Sequence, residues 1–414
     1  MRKIILSLTL LFAVVTARAQ LSLEAYRDMV YEYSTELMNA EAATARAYSD
    51  MRVARTDFLP SLSASANFTT DFRRSGDAHL WGFDLQPQLQ QILYGGGAVR
   101  ATYSRAQAEY ERAKYGERHT RLAMRYAADY AYWTVSAMKL YMAATNEYVN
   151  SISALYRVVE ERFREGYVAK GDMLQVEARL SEAQYSLIAA RNNYEVALHR
   201  FNNLLGVEGS MEVELSNTIL DTISMPQRVT IDEMLSRRPD MHMAEMSILA
   251  AEQGVKVAQS KYNPQLTAGV RGSWQTYSPN ISSKTYLDGA LVVGLSVPIF
   301  HWGERRQAVN VARTAVRTAE NDMEQLRRDA TQEEADGWSA MMSSYSQMQS
   351  SLKNVEIASE NLSISTFSYN EGQATVLDVL QAQISWIQIY SNAITARFNY
   401  AVAVSEYNRL SAAE

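Results

Sequence analysis

Apolar positions along this chain follow two periods, and the switches between them predict its elements. From Ala40 through Ala43, Ala47, Met51 and Ala54 to Phe58 the small and apolar residues step by 3, 4, 4, 3 and 4, one face of an α-helix, and Leu59-Pro60 closes the run. Residues 61–72 and 81–93 change to period two. Leu62, Ala64, Ala66, Phe68 and Phe72 oppose Ser63, Ser65, Asn67, Thr69 and Asp71; Trp81, Phe83, Leu85, Leu89 and Leu93 oppose Asp84, Gln86, Gln88 and Gln90. After the glycines at 95–97 the helical period returns.

The same order is then written again. Ala244, Ser247, Ala251, Val255, Ala258 and Tyr262, followed by Asn263-Pro264, repeat the first steps with a shift of 204. Ile92-Leu93 and Gly96 match Ile299-Phe300 and Gly303; Gly166, Asp172, Leu174 and Gln175 match Gly372, Asp378, Leu380 and Gln381. Tandem copies are expected at 20–205 and 229–414, joined by a linker at 206–228. Each copy predicts a helix (22–58; 231–262), two strands (61–72 and 81–93; 265–277 and 286–300), a very long helix (97–164; 304–370) and a closing helix (172–204; 375–410).

Some 65 helical residues make a rod near 100 Å, so these helices must pack lengthwise against others. Ala308, Ala312, Ala315, Ala319, Met323, Leu326 and Ala330 step by 4, 3, 4, 4, 3 and 4. The doubled four unwinds a left-handed supercoil.

Period two puts one side of a strand in oil and the other in water. A half-buried soluble sheet has the same pattern, but segments of this length also cross a bilayer when tilted. Arg73-Arg74-Ser75-Gly76-Asp77 reads as a polar exterior loop. In the second copy Leu291, Val293, Leu295, Val297 and Ile299 alternate with Ala290, Val292, Gly294, Ser296 and Pro298, and the pattern leaves the two faces unassigned. Four strands are too few for a closed spanning barrel, which needs about eight. Several chains must therefore share one barrel, in a number the pattern does not give.

Composition adds an export signal. Arg2 and Lys3 precede the apolar run Ile4 to Val15, and Ala17-Arg18-Ala19 is a small-x-small cleavage pattern, so 1–19 is expected to be a signal peptide. The run is too short to span a bilayer. The chain has no cysteine, which removes disulfides, thiolate metal sites and a lipid-bearing cysteine. Losing the three leader positives takes the formal net charge from −6 to about −9, a poor balance for nucleic-acid binding. Only 7 prolines and 18 glycines in 414 residues agree with few turns and long elements.

Candidate chemistry is sparse. Tyr94-Gly95-Gly96-Gly97 opens a helix as phosphate loops do, but lacks their Lys-Ser/Thr ending, and reads as a tight strand-to-helix turn. Met241, His242, Met243 and Met246 could form a soft copper(I) site, yet methionines are also ordinary packing residues. No histidine pair has ligand spacing and no Gly-x-Ser-x-Gly occurs. No enzyme, metal site or cofactor is expected. A periplasmic adaptor with long coiled coils is the competing class, but it leaves the paired strand segments unexplained.

Several motifs in this order resemble the TolC-type outer-membrane efflux proteins over nearly the whole mature chain. They are Arg237-Arg238-Pro239-Asp240-Met241 with Ala244-Glu245; Tyr262-Asn263-Pro264-Gln265-Leu266; and Pro298-Ile299-Phe300-His301-Trp302-Gly303. Arg162 to Ala169, Tyr369-Asn370-Glu371-Gly372 and Val376-Leu377-Asp378-Val379-Leu380 complete the set. The resemblance implies a mostly α fold with a membrane β-barrel: a helical coiled-coil tunnel and four transmembrane strands per protomer, twelve strands in a trimer. It implies the passive exit duct of a tripartite efflux system, fed by an inner-membrane transporter through a periplasmic adaptor, or else a duct for type I protein secretion.

The resemblance also implies site roles. Asp378 would ring the pore aperture, with Gln381 standing where a second acid is common. Asp172, Tyr369 and Asn370 would form the gate network, and Ala374 replaces its usual basic partner. Gly166, Tyr167, Val168, Gly372, Gln373 and Ala374 would meet the adaptor. A plain helix-capping role competes for each aspartate.

Overall fold

The computed structural model describes residues 20–70, 72, 80–207, 213–276 and 286–413. The expected signal peptide at 1–19 and the loop Arg73 to Asp77 lie outside the described residues. In chain order the elements are α1 (Leu23–Tyr33), α2 (Thr35–Thr56), β1 (Ser61–Thr70), β2 (Trp81–Gly95), α3 (Ala98–Arg164), α4 (Lys170–Leu204), α5 (Ile231–Arg237), α6 (Pro239–Ser260), β3 (Gln265–Gln275), β4 (Tyr286–Ser296), α7 (Glu304–Asn370) and α8 (Val376–Leu410). Both long helices have 67 residues and both closing helices 35. Among the described residues no helix is long and apolar enough to cross a membrane.

The structure corrects two expected helices. The runs 22–58 and 231–262 are each broken once, at Ser34 and at Arg238, positions 204 apart. Both residues are extended, with ψ of 119° and 120°, and each still donates its N–H to the carbonyl four residues back. Pro239 causes the second break, because its ring drives the preceding residue out of helical geometry. At the first, the Ser34 hydroxyl accepts from the Leu37 amide at 3.2 Å and caps the new helix. The fourth strand ends at Ser296 rather than at 300, since Pro298 cannot donate to a ladder.

The chain divides into two units. One comprises 39–118 and 239–327 and contains the sheet. Its four strands run antiparallel in the order β1-β2-β3-β4. The register resolves the faces that alternation left open. Leu62 pairs with Leu89, Ala66 with Leu85 and Phe68 with Phe83. Leu85 pairs onward with Trp274 and Leu89 with Val270, and these pair with Leu287 and Leu291. Leu266 opposite Leu295 and Ala268 opposite Val293 complete one apolar face. The other face carries Ser63 opposite Gln88, Asn67 opposite Asp84, Gln88 opposite Arg271 and Ser273 opposite Asp288. Leu62, Phe68, Leu85, Leu89, Val270, Leu287, Leu291, Val293 and Leu295 are all exposed, so among the described residues the apolar side is open on all four strands. In the same unit the helical stripe of α7 is half-buried at Ala308, Ala312, Ala319, Met323 and Leu326, but Val316 replaces the expected Ala315, which is exposed.

Of the described residues, the other unit comprises 20–38, 119–207, 213–238 and 328–413. Tyr26 stacks on Phe201 at 3.9 Å beside Tyr132, all fully buried. At the corresponding place in the second half Trp338 meets Tyr407 at 5.2 Å. The segment after α4 is pinned here: Leu21 bridges Leu215, and the Tyr132 hydroxyl donates to the Leu21 carbonyl and accepts from the Asn217 amide. Two carboxylates are sunk among these helices with arginine partners, Asp129 with Arg27 (2.6 and 2.8 Å) and Glu334 with Arg228 (3.0 Å twice). A buried carboxylate is tolerated only with such pairing.

Candidate functional site

The expected site residues gather where α3 turns into α4 and α7 into α8. Each turn needs a left-handed residue to reverse the chain, and glycine supplies it: Gly166 at φ +83° and Gly372 at φ +76°. The Tyr167 amide returns to the Arg162 carbonyl at 2.8 Å, and the Gln373 amide to the Ser368 carbonyl at 2.8 Å, closing both helix ends alike. One groove at this end is lined by Arg162, Val168, Asp172, Tyr369, Asn370 and Thr375 among others. The two turns and the residues expected to form a gate network, Asp172, Tyr369 and Asn370, are thus neighbours within the chain.

Asp378 is not the cap of α8. Thr375 holds that position, and Asp378 sits three residues in, completing a capping box. One carboxylate oxygen of Asp378 accepts from the Thr375 amide at 2.8 Å and from its hydroxyl at 2.7 Å. These bonds hold the Asp378 pKa below the ordinary carboxylate value, so the group is anionic at neutral pH. Asp378 and Gln381 are exposed one turn apart, while Val379 and Leu380 face the core. In the first copy Ala169 occupies the cap position without a side-chain bond, and Asp172 lies three residues beyond it.

Tyr369 is 5% exposed, and its hydroxyl has no hydrogen-bond partner among the described residues. No bond joins it to Asp172. Its ring instead supports the Arg162 guanidinium, 4.7 Å from the centroid. Arg162 also donates to the carbonyls of Tyr369 and Asn370, each at 3.3 Å. A cation from the end of α3 therefore caps the end of α7, where unsatisfied carbonyls concentrate negative charge. Sequence reasoning gave Arg162 no role. Its place in the last turn before a glycine was a legible sign of a helix-end cation, but its partner 207 residues away was not. Tyr167 and Gly372 are exposed at the apex, and Val168 and Ala374 are half-buried. Among the described residues no cluster of histidine and carboxylate side chains could hold a metal.

The chain is similar to several known proteins. Protein CyaE of Bordetella pertussis is 25% identical over 306 residues, 70% of this chain and 62% of its own length. The pyoverdine export outer membrane protein OpmQ of Pseudomonas putida is 26% identical over 167 residues, 40% of this chain and 35% of its own. The match thus spans less than two thirds of either relative. Among solved structures, the Campylobacter jejuni CmeC outer membrane channel superposes with a TM-score of 0.80 over 94% of this chain and 85% of that one, at 19% identity. The fold is that of an outer-membrane channel, a helical assembly bearing a four-stranded share of a barrel, and not that of an enzyme. The family model described as outer membrane efflux protein matches residues 27–207 and 230–411, and the chain belongs to that family.

Proposed function

We propose that this chain is the outer-membrane exit duct of a tripartite export system, a passive channel without catalytic activity. The observation that carries the reading is the sheet: one face continuously apolar and uncovered, the other polar, with β1 and β4 as its outer strands. Open edges in lipid would leave backbone groups unpaired, so subunits must join edge to edge. Three copies would give twelve strands around a polar lumen, anchored in outer-membrane lipid, with the helices extending into the periplasm. The recurrence of elements supports reading 20–205 and 229–414 as tandem copies.

The turn end is then the periplasmic gate. Asp378 would line the aperture beside Gln381, a reading supported by its exposure and its depressed pKa. The unsatisfied Tyr369 hydroxyl supports a gate bond made between protomers, with Asp172 of the neighbouring protomer as acceptor. Gly166, Tyr167, Val168, Gly372, Gln373 and Ala374 would contact the adaptor that links this duct to an inner-membrane transporter. Small molecules are the proposed cargo.

Membrane fractionation and gel migration test the reading. Unheated protein should run as a trimer, float with outer-membrane vesicles and form conducting channels in planar bilayers. A detergent-independent soluble monomer would overturn it.

A further inference from the structure

The junction between sheet and helices occurs twice, and one of its two dockings is filled within the chain. There, the end of β2 pairs with the start of β3, Gly95 opposite Gln265. The exit turn after β2 packs onto the entry to β3: Asn263 donates to the Gly96 carbonyl at 2.8 Å, and a Cβ on Gly96 would lie 2.5 Å from the Ser260 carbonyl oxygen. The other exit turn, Phe300-His301-Trp302-Gly303 after β4, and the other entry, Phe58-Leu59-Pro60 before β1, belong to the two outer strands.

We propose that the exit turn of one protomer docks into the entry groove of the next, with Trp302 as the anchoring side chain. This rests on the shared barrel proposed above. β1 leaves the helices and β4 returns to them, so closing the barrel sets them antiparallel with their helix-proximal ends side by side. Repeat correspondence makes the match specific: Gly95 and Gly96 correspond to Trp302 and Gly303, and Ser260 and Asn263 to Thr56 and Leu59. The polar junction within the chain, Asn263 against a glycine turn, becomes an apolar one between chains, Leu59 against Trp302.

Both surfaces are prepared for this. Trp302 is 91% exposed and holds φ at +48°, a left-handed conformation uncommon outside glycine. Its turn is braced from behind: Tyr262 meets the His301 ring at 5.7 Å and donates its hydroxyl to Glu304 at 2.8 Å. The Phe300 ring lies 4.8 Å from the indole, and Ile299 and Phe300 are exposed beside it. The groove is lined by Val53, Phe58, Leu59 and Tyr103, with Arg52 and Arg55 in its wall. Leu59 is 63% exposed, and Phe58 packs edge-on against Tyr103 at 5.9 Å. A tryptophan entering such a groove gains apolar contact and an arginine over its ring face.

The chain has no cysteine, so introduced pairs report cleanly. The test is Leu59→Cys with Trp302→Cys in the full-length protein in outer membranes, treated with a short bismaleimide. A control pair, Ser63→Cys with Ser296→Cys, spans the β1 and β4 edges alone. Covalent dimers and trimers from the first pair, absent from each single variant, are expected. Crosslinks from the control pair but none from the first would overturn the docking and leave the shared barrel standing. Crosslinks from neither would overturn both. Trp302→Ala should also lower the temperature at which the trimer separates on gels; an unchanged temperature would remove Trp302 as the anchor.

Discussion

Replacing Arg162 by alanine should loosen the periplasmic end while leaving the folded chain intact. In each protomer Arg162 joins the end of α3 to the end of α7 through the Tyr369 ring at 4.7 Å and two carbonyls at 3.3 Å. A part-buried cation–π contact contributes about 1 kcal/mol, up to about 2 when desolvated. Hydrogen bonds as long as these sit at the weak end of the range, about 0.5 kcal/mol each. The link is then worth about 2–3 kcal/mol per protomer, which shifts a closed-to-open equilibrium roughly 30- to 150-fold. Arg162→Lys keeps the charge but loses the planar fork that reaches both carbonyls, so about half the effect should remain. Single-channel recording in planar bilayers reads this directly, as a higher open fraction at rest. Cells should become correspondingly more permeable to large polar antibiotics. An open fraction within twofold of the parent protein, with normal trimer yield, would mean that the bond does not hold the gate.

Glycine and proline made the helix ends legible. The runs expected at 304–370 and 97–164 lie within a residue of α7 and α3 because Gly166, Gly303 and Gly372 take left-handed turns that other residues resist. The breaks at Ser34 and Arg238 were readable in principle. Pro239 forces the second, and the 204-residue shift carries that signal back to Ser34. The faces of the second hairpin were not readable, because Val292, Ala290 and Gly294 put small apolar groups on the polar side. Only cross-strand partners such as Gln88 opposite Arg271 settle them. At the tip, the pattern marked Asp378 but not its bond to Thr375. Arg162 stayed hidden because a contact between the ends of two helices leaves no periodic trace.

With Asp378 at the aperture of the proposed trimer, three carboxylates would ring one axis and attract cations, so Asp378→Asn should lower the cation preference of single channels; unchanged selectivity would remove Asp378 from the aperture. Glu334 should set an acid limit. Its pKa is depressed, first by the Arg228 hydrogen bonds, so its contribution is present above the ordinary carboxylate value and lost as pH falls through the depressed one. Melting temperature should hold from neutral pH to that range and then drop, and Glu334→Gln should flatten the drop; an equal drop in the variant would assign the acid limit elsewhere. Gly96→Ala and Gly303→Ala separate folding from assembly. Both glycines are left-handed, at φ +65° and +81°, so alanine costs each about 1–2 kcal/mol of backbone strain. At Gly96 the new methyl also strikes the Ser260 carbonyl of the same chain, whereas at Gly303, its two chain neighbours aside, no described residue would lie within 4 Å of it. Gly96→Ala should therefore damage the isolated chain, seen as a lower folded yield in detergent. Gly303→Ala should spare that yield and act on the trimer, where the proposed docking puts the entry groove of the next protomer in the place of Ser260 and Asn263. Equal losses of folded monomer in the two variants would break the correspondence between the two junctions.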